Sequence, residues 1–201
     1  DTFSNFSSGE YQFVVYSMRD DDSEVISARS GTVSLTQSLA SGRATISGTS
    51  SSVSLTPSGS AGNSVSTVDV EYPSAVNGEI SVSETDSLPA STGGVSQLQS
   101  DVPDVDQVVT TTQINGPDPG SGEVTTTVTL SRSAIPAGSS PSQLTVTRFN
   151  NGAFTELDTS VVSSTSSDVT LSFDTPGFSI FAITTTSSGG SGGGGGGGAG
   201  A

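Results

Sequence analysis

Glu123-Val124-Thr125-Thr126-Thr127-Val128-Thr129-Leu130 decides the fold class. Val124, Val128 and Leu130 fall on one side of an extended chain, and Thr125, Thr127 and Thr129 fall on the other. Successive side chains of a strand point to opposite faces, so this period of two marks a half-buried strand. The pattern returns in Asp168–Phe173, where Val169, Leu171 and Phe173 oppose Thr170 and Ser172. Strands are also expected at Thr67–Tyr72, Glu79–Ser83, Val105–Ile114, Gln143–Phe149, Phe154–Leu157 and Phe178–Thr184. Val, Thr and Ile supply much of each run, and branched side chains suit a pleated surface. Gly116-Pro117-Asp118-Pro119-Gly120 separates two strands, and Asn150-Asn151-Gly152 reads as a hairpin turn because Asn-Gly tolerates positive φ. Helical periodicity is almost absent. Many short strands at this spacing predict an all-β fold, an antiparallel β-sandwich of immunoglobulin-like type.

Towards the N-terminus the pattern thins. Tyr11–Met18 carries apolar groups on both faces, with Tyr11, Phe13 and Val15 opposite Val14 and Tyr16. Arg19-Asp20-Asp21-Asp22-Ser23 reads as a polar hairpin loop leading into Glu24–Arg29, and Thr32–Leu35 follows as another strand. Residues 47–66 are rich in Ser, Gly and Thr, with Val53 and Leu55 as a weak strand. Three units are therefore expected. Residues 1–58 are the last strands of an immunoglobulin-like unit or an N-terminal extension, 59–186 a sandwich, and 187–201 a flexible, disordered Gly/Ser linker. A Gly-rich tether over residues 189–201 would have a root-mean-square reach of roughly 20 Å. No opening Met or signal peptide is visible, so the chain reads as an excised or mature segment of something larger.

Composition narrows the chemistry. The 201 residues include 20 Asp and Glu against five Arg, for a net charge of −15, with no Lys, His, Cys or Trp. Without His and Cys there is no Ser-His-Asp or Cys-His nucleophile pair, and no ordinary zinc, haem or iron–sulfur site. Without Lys there is no Schiff base and no phosphate-loop lysine. The acidic field repels nucleic acids and anionic lipid surfaces. Ser and Thr make up about a third of the chain. An acidic chain that avoids Lys suits a salt-rich setting, where a Debye length of about 3 Å at 1 M screens self-repulsion; a genome poor in Lys codons gives the same bias. The longest apolar runs, Phe13–Tyr16 and Phe178–Ile183, are far short of the roughly 20 residues that span a bilayer.

Asp174-Thr175-Pro176-Gly177-Phe178-Ser179-Ile180-Phe181-Ala182-Ile183 stands apart. Pro176 fixes φ and lacks a donor, so it begins a strand rather than continuing one. Phe178, Ile180 and Ala182 are expected on one face, with Phe181 and Ile183 on the other. The segment resembles the closing motif of the PGF-pre-PGF domain of archaeal, chiefly haloarchaeal, cell-surface proteins. Leu144–Asn150 resembles that family's strand with an Arg followed by an aromatic, and Phe154-Thr155-Glu156-Leu157 its aromatic followed by Leu, although Phe154 stands where a Trp is common. The likeness covers about 65–184 and is tightest over 124–184. It makes Pro176, Gly177, Phe178, Ser179, Phe181, Ala182 and Ile183 the family-motif residues. What it implies is context: a domain just upstream of a low-complexity linker, a second Pro-Gly-Phe signal, a transmembrane helix and a basic tail. Here Pro176-Gly177-Phe178 precedes an apolar strand and a polyglycine run, so it is not expected to be the processing site itself.

Few residues suggest chemistry. Asp20-Asp21-Asp22 with Glu24, the trio Asp101, Asp104 and Asp106, and Asp118 with Glu123 could each offer oxygen to a hard cation such as Ca²⁺. None has the spacing of a known calcium loop, and an acidic turn is the expected reading, with no metal and no cofactor. A glycosidase pair needs two acids across a cleft, and most acids here fall in turns or at strand ends. Asn5 opens the one N-glycosylation sequon, and Thr110–Thr112, Thr125–Thr127 and Thr184–Thr186 offer hydroxyls to O-glycans. The expected function is a non-catalytic stalk or spacer, extracellular and at the cell surface of an archaeal halophile. Its partners would be neighbouring domains of the same polypeptide, surface-layer (S-layer) proteins or glycans. Membrane contact would come only through a C-terminal anchor, and nucleic acid is not expected. The alternatives are a carbohydrate- or protein-binding module of a secreted protein, or a filament subunit that exchanges a strand with its neighbour.

Overall fold

The computed structural model describes residues 38–58 and 62–187, together with the backbone of four strands nearer the N-terminus. Those four are β1 (Gly9–Tyr11), β2 (Val14–Met18), β3 (Glu24–Arg29) and β4 (Val33–Leu35). β2 pairs antiparallel with β3 across the expected hairpin, and β1 pairs with β4. The acidic turn Asp20–Asp22, the sequon at Asn5 and the polyglycine tail lie outside the described residues.

The remaining elements follow in order: β5 (Ser38–Ser54), β6 (Thr56–Pro57), β7 (Val65–Thr85), α1 (Gly94–Asp101), β8 (Val105–Asn115), β9 (Val124–Ser131), β10 (Leu144–Asn150), β11 (Ala153–Leu157), β12 (Thr159–Ser164), β13 (Asp168–Thr175) and β14 (Ile180–Thr186). All pairings are antiparallel, and the fold is the all-β, sandwich-like one that the alternation predicts.

β5 and β7 form a long ribbon that belongs to both layers. The first part of β7 pairs with β9, from Val65 opposite Leu130 to Glu71 opposite Thr125, and β13 and β12 extend that layer. The last part pairs with β8, from Ser81 opposite Asn115 to Thr85 opposite Thr111, and β14, β10 and β11 extend the other. β5 runs beside both parts, from Ser54 opposite Thr67 to Ser38 opposite Thr85. Between Gly48–Val76 and Ser50–Glu71 the register slips, so Tyr72-Pro73-Ser74-Ala75 bulge out opposite Thr49. Pro73 has no N–H to give a ladder, which places the bend there.

Two expectations change. Thr67–Tyr72 and Glu79–Ser83 are parts of one strand, because the Pro73 break is a bulge and not a turn. The seam expected at 58/59 falls inside a sheet: β5 on its N-terminal side pairs with β7 along nearly its whole length. Ala40, Ile46 and Val53 of β5 sit in the same core as Val68, Val128, Leu171 and Ile183. Only one residue in two along β5 needs to be apolar, and Ser and Thr filled the rest, which made the strand look like a linker.

The helix α1 was not foreseen. It lies over the outer face of the β8–β14–β10–β11 layer, where Leu98 and Val102 join Val105, Phe154 and Ala182 in a second apolar cluster. Gly93 (φ 78°) and Gly94 (φ 69°) turn the chain into it. β14 is consequently buried on both faces, with Phe181 and Ile183 in the main core and Ala182 under the helix. Each large aliphatic side chain so buried contributes about 1.5–3 kcal/mol.

Candidate functional site

The family-motif residues form the crossing from β13 in one layer to β14 in the other. Gly177 is buried, and the Thr175 hydroxyl donates to its carbonyl at 2.8 Å. Ser179 donates its hydroxyl to the Phe149 carbonyl and accepts from the Ile114 N–H through its own carbonyl. Phe178 differs from the expected alternation. Its ring packs on the main core and meets Tyr72 edge-on, centroids 5.9 Å apart, while Ile180 and Ala182 face the helix cluster. The period of two starts only at Ile180, where the strand itself begins.

The loop between β8 and β9 closes over this crossing. The Tyr72 hydroxyl donates to the Pro117 carbonyl at 3.1 Å. Burial pushes the Tyr72 pKa up to about 12. Gly116 is required by the packing: a Cβ there would stand 2.7 Å from Phe178 Cε2 and 2.9 Å from the Tyr72 oxygen. Gly78 lies under Pro117 and Gly122 under Pro73 in the same close manner. A cleft of about 300 Å³ remains between this loop and Pro176.

On the other side of the crossing lies Arg148. It stands on the inner face of β10, opposite Thr155 of β11 and Phe181 of β14. Burial lowers its pKa from the ordinary arginine value. Its Nε is buried without a hydrogen-bond partner. Arg148, Asn150, Asn151, Thr155, Leu157 and Pro176 line a second cleft, of about 440 Å³.

A third groove, about 420 Å³, runs across the outer face of β5, β7 and β9. Ser50, Ser52, Asp69, Glu71, Thr125 and Thr127 line it. Register sets it up: Ser52, Asp69, Thr127 and Ser172 stand side by side across four strands, as do Ser50, Glu71, Thr125 and Asp174. The Thr125 hydroxyl donates to Asp174 at 2.6 Å.

The acidic candidates do not converge. Among the described residues no three His, Cys, Asp or Glu side chains could hold a metal ion together. Asp101 is structural: Gln97 donates to its Oδ1 and the Phe154 N–H to its Oδ2, each at 2.8 Å. The Gln97 bond, and then the Phe154 bond, hold its pKa below the usual value. Asp104 lends its backbone carbonyl to Ser187. Asp118 accepts from the Gly120 N–H within its own turn. No helix among the described residues is long and apolar enough to cross a membrane.

Two functional-looking groups escaped the sequence reading. Arg148 was seen only as a member of a strand motif, and Glu84 was not singled out. Glu84 is fully buried and its two carboxyl oxygens are engaged by Ser64, Val65 and Thr110. Its inward position follows from the alternation Ile80, Val82, Glu84, a signal that was available.

No family model, curated protein or solved structure matches the chain. The resemblance to the PGF-pre-PGF domain therefore rests on the motif residues alone.

Proposed function

We propose that the chain is a non-catalytic module of an archaeal, salt-adapted cell surface, related to the PGF-pre-PGF domains. It serves as a stalk or spacer between further domains of its polypeptide and a C-terminal membrane anchor. The observation that carries this reading is the use made of Pro176-Gly177-Phe178. Gly177 is buried and Phe178 packs edge-on against Tyr72, so the motif serves the packing of a crossing between layers. A domain that keeps this motif for packing leaves processing to a separate signal further on. The outer hydroxyl ladders and the −15 net charge supply a strongly hydrated exterior, suited to a salt-bathed surface facing S-layer proteins or glycans.

Reading the codons that follow Ala201 in the gene tests the anchoring claim. A second Pro-Gly-Phe signal, an apolar helix of about 20 residues and a basic tail are expected. A stop codon directly after Ala201 would overturn it.

A further inference from the structure

The Arg148 cleft has the chemistry of an anion site. Along β10 the inward residues run Leu144, Val146, Arg148, from the core to the mouth of the sandwich. The guanidinium reaches that mouth beside the Pro176-Gly177 crossing, where a Cβ on Gly177 would lie 3.6 Å from Arg148 Nη2. Among the described residues Arg148 has no ion pair, whereas exposed Arg43 pairs with Glu79 at 3.2 Å. Its Nε is fully buried and unmet. Protein encloses the Nε, so the two terminal nitrogens of the guanidinium are the donors open to the cleft. The chain holds 20 acidic residues, yet none lines this cleft. Its polar side chains are Arg148, Asn150, Asn151 and Thr155, each able to donate, and Leu157 and Pro176 complete the wall.

We propose that this cleft binds a carboxylate-bearing sugar, a hexuronate unit. The planar guanidinium clasps the carboxylate in a fork. The amides of Asn150 and Asn151 and the Thr155 hydroxyl both donate and accept, which matches ring hydroxyls that do the same. Leu157 and Pro176 lie against the apolar face of the ring. The net negative field works against a polyacidic peptide and tolerates a ligand with one isolated charge better. The proposal does not depend on membrane anchoring.

Calorimetric or NMR titration of the whole chain with glucuronate tests it, with glucose as the neutral counterpart and an N-acetylated Asp amide as the peptide counterpart. A glucuronate-terminated oligosaccharide separates the free sugar from a polymer end. Glucuronate, free or terminal, is expected to bind at least tenfold more tightly than glucose. Arg148→Gln is expected to lose at least tenfold, Arg148→Lys less, and Asn151→Gly, which removes the amide but keeps the positive φ of 51°, to weaken binding without lowering the melting temperature. Equal affinity for glucose, full retention in Arg148→Gln, or tighter binding of the Asp amide would each overturn the proposal, the last in favour of a peptide partner.

Discussion

The Thr110 hydroxyl donates to Glu84 Oε1 at 2.7 Å, and both residues are buried in the interior. The same carboxyl group accepts from the Ser64 N–H at 2.9 Å and from the Val65 N–H at 3.2 Å. Glu84 sits near the end of β7, and Ser64 and Val65 mark its start, so one side chain ties together the two ends of a strand bent between layers. Glu84→Ala leaves two backbone donors and one hydroxyl without an acceptor. Each unmet group costs about 1–3 kcal/mol, so urea unfolding should show a loss of several kcal/mol. Glu84→Gln, which keeps one oxygen, should lose less. A Glu84→Ala change of under about 1 kcal/mol, the size of an average substitution, would refute the clasp.

Gly116→Ala drives a methyl group into the Phe178 ring and the Tyr72 hydroxyl. Forcing an extra carbon into a packed site costs about 1–3 kcal/mol. Gly62→Ala is the control, because a Cβ there meets nothing within 4 Å. Thermal melts should separate the two variants clearly, and identical melting temperatures would count against the Gly116 contact.

Tyr72 should ionise late. Its folded-state pKa of about 12 exceeds the ordinary value of 10.0, so its contribution to stability is complete below pH 10 and lost as the pH rises towards 12. Absorbance of phenolate near 295 nm should show a step at about pH 12 that is missing in Tyr72→Phe. A wild-type titration finished by pH 11, roughly one unit above the free phenol, would contradict the buried placement.

Asp101 makes the opposite prediction. Its folded pKa lies below the usual value, so the contact of α1 with β11 is stabilising above the unfolded pKa of about 3.9 and weakens as the pH falls through the folded one. Wild type should be more stable than Asp101→Leu at pH 7, and the gap should narrow at pH 2. A gap independent of pH would place the effect in packing rather than in the carboxylate.

Salt should stabilise the chain. Only one ion pair, Arg43–Glu79, is formed among the described residues, against a net charge of −15. Melting temperature is expected to rise from low to molar KCl as repulsion is screened. A flat or falling profile would argue that the acidity reflects codon bias alone.

The strand pattern was legible wherever one face was uniformly apolar. Val124, Val128 and Leu130, and again Val169, Leu171 and Phe173, announced β9 and β13, and the structure pairs them directly. β5 was hard to see because Ser and Thr fill most of its outer face and Gly42 and Gly48 interrupt its inner one. α1 was hidden for a different reason: Leu98 is its one fully buried residue, too little for a helical period to show. Of the sites, the Pro-Gly-Phe crossing was visible as a motif, but the partners of Phe178 were not. Tyr72 and Gly116 lie far away in sequence and meet it only through the β7 bulge and the β8–β9 loop. Arg148 could be recognised as unpaired only once its neighbours were known.

The order β5–β7–β8–β14 has a mechanical consequence. Ser38 lies level with Thr85, Thr85 with Thr111, and Thr111 with Ala182, while β5 and β14 run in opposite directions. β5 therefore starts and β14 finishes towards the same end of the layer, three strand spacings or about 14 Å apart across the sheet, with Thr186 four residues beyond the level of Ser38. Tension applied through these two strands would load the backbone hydrogen bonds one after another, as a zipper opens, rather than all at once in shear. The module would give way strand by strand under load, while the Arg148 mouth, where β10 ends and β14 begins, would face away from the line of pull.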